Sequence, residues 1–146
     1  MEDIDLKLFR ARLPEGWDTQ VMVTCAPAPG VEPRRSVVFM RKSMDGAESL
    51  ADFAASQRDE LARQLTQFSL LYDAPTELAG QTVPLIVFGW QADAGRLTQV
   101  QAYFPAEAGA AWIVTLSSGT EDYDALLPEF QAILGSFQPT DAIGGT

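Results

Sequence analysis

The sequence predicts an α+β domain, an antiparallel β-sheet with two principal helices. Three observations predict it. Apolar residues recur at three- and four-residue spacing in just two stretches, after Ser49 and after Asp122. The other apolar runs are short, rich in Val, Phe and Met, and bounded by Gly, Pro and Asp, as strands are. The chain has 146 residues, 47% hydrophobic and 21% charged, a globular composition sized for one core.

Ile4 to Leu13 alternates imperfectly and is stopped by Pro14-Glu15-Gly16, which predicts a strand and then a turn. Gln20 to Ala26 and Arg35 to Lys42 read as paired strands, separated by a loop in which Pro27, Pro29, Gly30 and Pro33 break any ladder. Asp45-Gly46 then turns the chain, and Ser49 is an N-cap with Asp52 three residues on. In the helix that follows, Leu50, Phe53, Ala54, Gln57, Leu61, Gln64, Leu65 and Phe68 form one stripe. Arg58, Asp59, Glu60 and Arg63 fall mostly on other faces. Ser69 to Asp73 predicts a short strand, and Ala79-Gly80 a turn before three longer ones, Val83 to Gln91, Leu97 to Phe104 and Ala111 to Ser118. The connections Ala92 to Gly95 and Glu107 to Gly109 are short enough for an antiparallel meander. Asp122 to Gly135 returns to helical spacing, with Pro128 expected inside the first turn. Residues 1–140 are expected to form the single domain and residues 141–146 a flexible tail.

Composition narrows the chemistry. A net charge of -10 repels phosphate backbones and anionic lipid, so nucleic acid is not an expected partner. Histidine is absent and Cys25 is the one cysteine, which removes histidine bases, His/Cys metal sites and internal disulfides. Glu48, Asp59 and Glu60 read as solvated surface, and Ser117-Ser118-Gly119-Thr120 as a strand end, because nothing beside it activates a hydroxyl. Cys25 and the tryptophans Trp17, Trp90 and Trp112 read as core or interface residues. No cofactor and no metal is expected, and no enzymatic activity. The stretch Leu78 to Ala92 is too short and too interrupted to span a bilayer, so no membrane insertion is expected. With Glu2, Asp3, Asp5 and Lys7 at the start and no leader pattern, the expected compartment is the cytosol.

The predicted sheet is unusual in being apolar on both sides. Val37 and Phe39 alternate with Val38 and Met40, and Val83, Leu85 and Val87 with Ile86, Phe88 and Trp90. Something must cover the second face. On the next strand, Leu97, Gln99, Gln101 and Tyr103 make a face without charge that carries amides. Surface of this kind predicts either a homodimer or another apolar partner, or two helices and long loops that cover both faces within one chain.

Leu13-Pro14-Glu15-Gly16-Trp17, Glu48-Ser49-Leu50-Ala51-Asp52-Phe53, Leu61-Ala62-Arg63-Gln64-Leu65 with Phe68, Leu78-Ala79-Gly80-Gln81, Phe88-Gly89-Trp90, Gln99-Val100-Gln101 and Ile133-Leu134-Gly135-Ser136-Phe137 occur in an order and spacing that resembles the DcrB-related family. The likeness is to its cytosolic branch, the Eag chaperones of type VI secretion. Ala79 and Pro84 depart from the family pattern, where glycine and alanine are usual. The resemblance implies a Mog1/PsbP-like fold and a homodimer. It also implies a non-enzymatic chaperone that shields the N-terminal transmembrane helices of an effector carrying a PAAR domain and aids its loading on the secretion spike. The alternative is a PsbP/Mog1-like binding module for another protein partner. By resemblance the effector-binding groove falls on Val21 and Val23 of an early strand, Gln57 and Leu65 of the long helix, and Leu97 and Gln101 of a late strand, with Gln99 on the same neutral face.

Overall fold

The computed structural model describes residues 12–17 and 20–139. Its elements are β1 (Val21–Cys25), β2 (Arg35–Ser43), α1 (Leu50–Gln64), β3 (Ser69–Leu78), β4 (Gln81–Ala92), β5 (Gly95–Pro105), β6 (Ala110–Gly119), a 3-10 turn (Thr120–Asp122) and α2 (Tyr123–Ser136). The six strands make one sheet in the order β1-β2-β6-β5-β4-β3, antiparallel throughout. Of the expected opening strand only Arg12 and Leu13 are described, and they are not in a strand; the expected tail also lies outside the described residues.

The meander β3 to β6 follows from short turns. Ala79-Gly80 joins β3 to β4 with both residues at positive φ (50° and 80°), the twist that matches a tight hairpin. The strand beginning at Ser69 does not stop at Asp73 but runs to Leu78, because the hairpin register pairs Thr76 with Val83 and Leu78 with Gln81. That register sets Pro75 opposite Pro84 in a pair whose nitrogens point away from each other, so neither proline interrupts the β3–β4 ladder. Pro84 instead ends the β4–β5 pairing, which runs no further than Leu85 opposite Ala102.

Helix positions follow from the connections. The chain leaves β2, passes along α1 over one face, and enters β3 at the far edge; α2 follows β6 and folds back over the other face. Ser49 caps α1, its hydroxyl accepting from the Asp52 amide at 3.1 Å. On the α2 face, Leu126, Phe130 and Leu134 pack onto Val37, Leu85, Val100, Phe104, Val114 and Leu116. Phe137 closes that core, its ring 4.8 Å from Phe104 and 5.7 Å from Phe39. One expectation needs correction here. Pro128 lies beyond the first turn of α2, where it removes the helix bond to the Asp124 carbonyl, a loss tolerated near an exposed helix start. Of the two ways left open for covering the second apolar face, its centre takes the one within the chain, since α1 covers it with Phe53 and Ala54. Trp112 is core, Trp90 half-buried and Trp17 64% exposed, so only one tryptophan is fully in the interior.

Ala79 holds a left-handed conformation that costs an L-residue about 1–2 kcal/mol. Ala79→Gly is therefore expected to raise the urea midpoint. Gly80→Ala is expected to lower it, although nothing lies within 4 Å of the added methyl. Equilibrium unfolding followed by far-UV circular dichroism measures both.

Candidate functional site

The α1 face is covered unevenly. Phe53 meets Tyr103 edge to face at 6.2 Å, Phe68 stacks on Phe88 at 5.4 Å, and Leu50, Leu61, Leu65 and Trp90 pack around Ile86, Ala111 and Ile113. These contacts seat α1 over β4 and β5. Further along the same face, β6, β2 and β1 carry side chains that α1 does not bury. One row across the sheet reads Thr24, Val38, Thr115, Gln101, Ile86, Asp73, and the next reads Ser36, Ser117, Gln99, Phe88, Leu70. Val38, Met40, Thr115, Ser117, Gln99 and Gln101 are half-buried, and Met22 is 59% exposed. From β1 to β5 this strip of two rows is thus apolar and amide-bearing without charge, and the cation on the same face is Lys42 of β2, whose ammonium stands 5.9 Å from the Phe53 ring.

Its amides are held differently. The Gln99 carbonyl accepts from the Trp90 indole N–H at 2.8 Å, and its Nε2 donates to the Ser117 hydroxyl at 2.6 Å. An indole nitrogen only donates, which fixes the orientation of this amide. Gln101 accepts from the Tyr103 hydroxyl. Tyr103 is fully buried, and burial, with Asp73 adding and Arg58 opposing, holds its phenol well above the ordinary range. At neutral pH it is a hydrogen-bond donor.

The residues carried over by resemblance do not all meet. Gln57 is half-buried on α1, Leu65 is the α1 C-cap residue packed in the α1 core, and Leu97, Gln99 and Gln101 lie on the β5 face beneath and beside that helix. Val21 and Val23 pair with Arg41 and Phe39, which puts them on the opposite face with the α2 core. The β1 side chains on the α1 face are Met22 and Thr24. Strand alternation alone signals this once Val38 and Met40 are set against them. Gln64, placed by spacing in the apolar stripe, is exposed and bonds Glu60 at 2.5 Å. Arg58 is not simply on the outer face: it reaches β3 and binds Asp73 at 2.5 Å. That bond, more than the neighbouring Asp59, raises its pKa. Cys25 is half-buried on the α2 face, in a shallow pocket that also includes Arg35 and Glu129, which bond each other at 2.7 Å. Among the described residues no cluster of three or more His, Cys, Asp or Glu side chains is placed to hold a metal, and no helix is long and apolar enough to cross a membrane.

The family model described as DcrB matches residues 11–136. The chain belongs to the DcrB family. One relative in that neighbourhood is a Pseudomonas aeruginosa protein named Effector EagT6, 25% identical over 128 residues, 87% of this chain and 88% of the relative. Among solved structures the DcrB-family chain is similar to PA94 of Pseudomonas aeruginosa, a protein of unknown function, with a TM-score of 0.75 at 22% identity over 88% of this chain and 89% of that one. It is also similar to cyanobacterial PsbP of Synechocystis, with a TM-score of 0.58 at 11% identity over 82% of each chain. The expected Mog1/PsbP-like α+β fold is the one observed.

Because the folded pKa of Tyr103 lies above its unfolded value of about 10, the stability gained by keeping the phenol neutral is complete below pH 10 and is lost as pH rises through the alkaline range. Tyr103→Phe should flatten that alkaline decline, read from urea midpoints between pH 8 and roughly pH 11.

Proposed function

We propose that this DcrB-family chain is a cytosolic, non-enzymatic chaperone of type VI secretion. It shields the N-terminal transmembrane helices of an effector that carries a PAAR domain and delivers the effector to the secretion spike. The supporting relative is EagT6, and the observation that carries the reading is the strip beside α1. A helix from a bilayer offers apolar side chains and few polar ones. A receiving surface must therefore be apolar to hold it and neutral to avoid the cost of burying charge. Val38, Met22, Met40 and Leu97 supply the apolar area, worth about 1.5–3 kcal/mol for each side chain fully covered. Gln57 and Gln101 supply amides, which pair with polar groups of packed membrane helices.

The protein works as a homodimer in this reading. Large apolar side chains are exposed at both sheet edges, Met22 on β1 and Leu70, Leu71 and Tyr72 on β3, and in irregular segments at Leu13, Trp17 and Val31. A second copy seated on one of these edges covers its apolar residues, which would otherwise be open to aggregation. Val21 and Val23, on the α2 face of an edge strand, belong to the binding surface only if dimerisation or a bound helix wraps around that edge.

Co-expression with effector N-termini followed by pull-down from the soluble fraction tests the reading. Leu97→Asp and Gln101→Glu are expected to abolish recovery of soluble effector while the chain stays folded by circular dichroism. Arg63→Ala, at an exposed residue whose ion-pair partner among the described residues is Glu60, is expected to leave recovery unchanged. Wild-type recovery by both strip variants overturns the assignment, and capture of a protein without transmembrane helices favours the binding-module alternative. Light scattering should give about twice the chain mass of 15.9 kDa, and a monomer at every concentration refutes the dimer.

A further inference from the structure

Gln99 and Gln101 stand two residues apart on one strand face, yet only one of them has hydrogen-bonding capacity to spare. Gln99 uses its carbonyl on Trp90 and its amide nitrogen on Ser117. Gln101 uses only its carbonyl, on the Tyr103 hydroxyl, and its Nε2 has no partner among the described residues. Since no side-chain polar atom among the described residues is both buried and unsatisfied, that Nε2 is open to the surface. The orientation is not arbitrary. Reversing the Gln101 amide would set its N–H group against the Tyr103 oxygen and leave the phenol proton, in a side chain with no exposed surface, without an acceptor. Such an orphaned donor costs about 1–3 kcal/mol, so the amide stays carbonyl-inward.

We infer that Tyr103 is a positioning residue that turns the two N–H donors of Gln101 toward the bound helix, so that the strip selects apolar helices presenting an unpaired acceptor. The inference rests on the proposed helix-binding function and specifies its partner. A regular apolar helix has its backbone carbonyls paired internally. A proline in the middle of such a helix frees the carbonyl four residues earlier and adds no donor of its own. An apolar helix with an internal proline is the ligand whose chemistry matches donors turned outward.

Two synthetic apolar 20-residue helical peptides, identical except for proline or alanine at the centre, are the probes, presented in mild detergent and titrated by fluorescence anisotropy. The wild-type protein should bind the proline peptide roughly three- to tenfold more tightly, the worth of one neutral hydrogen bond. Tyr103→Phe, which removes only the hydroxyl, should bring that ratio near one while leaving binding of the alanine peptide unchanged. In a Gln101→Met background the ratio should already be near one, and adding Tyr103→Phe should change nothing further. A purely structural role for Tyr103 predicts instead an equal loss for both peptides in both backgrounds, which overturns the inference, as does full preference retained in Tyr103→Phe. Equal wild-type binding of the two peptides overturns the inference and leaves the chaperone reading standing. Wild-type binding of neither peptide overturns both.

Discussion

The structure depends on one constraint, a sheet whose central strands are apolar on both faces and must be covered twice. β6 alternates Trp112, Val114 and Leu116 on one side with Ala111 and Ile113 on the other, and all of these are buried. The chain meets the demand with one helix per face. A helix is about 10 Å across and strands repeat about every 4.8 Å, so a helix seated over β4 and β5 cannot also roof β2 and β1. The α2 face is completed by Phe137, which reaches Phe39, Phe104 and Trp112. Among the described residues the α1 face has no equivalent, and the open strip is what remains.

That remainder sets the chemistry. A surface left partly bare by geometry is usually made polar with charge, yet here the bare rows carry Thr, Ser, Val, Met and Gln, with Lys42 at their end over the Phe53 ring. Asp52 and Asp59 are exposed on α1, and Glu121 and Asp124 flank the start of α2. A net charge of -10 distributed in this way keeps molecules apart without desolvating an ion inside the strip. The Arg58–Asp73 pair marks the other side of α1, where the helix is tied to β3 and the charged groups satisfy each other. The side of α1 toward β3 is therefore bridged by an ion pair, beside a pocket lined by Ala51, Ala55, Pro75 and Pro84, and on the side toward β2 the cation is Lys42, over the Phe53 ring.

Much of this was legible in the sequence. Local signals placed the elements: Ser49 as a cap, Ala79-Gly80 and Asp93-Ala94 as hairpin turns, and the double apolar alternation of residues 37–40 and 83–90. The extension of β3 past Asp73 was hidden because Pro75 and Glu77 are poor strand formers, tolerated only by an edge strand whose partner needs nothing from the proline nitrogen. The site was legible residue by residue but not as a surface. Gln57, Leu97, Gln99 and Gln101 share one face, whereas Val21 and Val23 do not, since facing is settled by the β1–β2 register and not by the residues themselves. The partners that distinguish the two glutamines, Trp90, Ser117 and Tyr103, come from β4, β6 and β5, and no spacing rule joins the strands in that way.

The sheet edges decide how a partner can engage. An open edge invites strand addition, and each edge here is blunted. β3 has a register shift between Leu70 and Tyr72, carries Asp73 and Glu77, and turns the Pro75 nitrogen outward, where an added strand would need a donor. β1 is only five residues long. With little ladder to extend on either side, binding must be carried by side chains on a face. A face of alternating rows about 7 Å apart along the strand accepts the ridges of a helix as readily as those of a second sheet. An extended peptide held without ladder bonds would leave its own backbone groups unpaired, while a helix brings its backbone already satisfied. The blunted edges and the neutral strip therefore favour the same kind of ligand, one whose hydrogen bonds are internal except where its sequence breaks them.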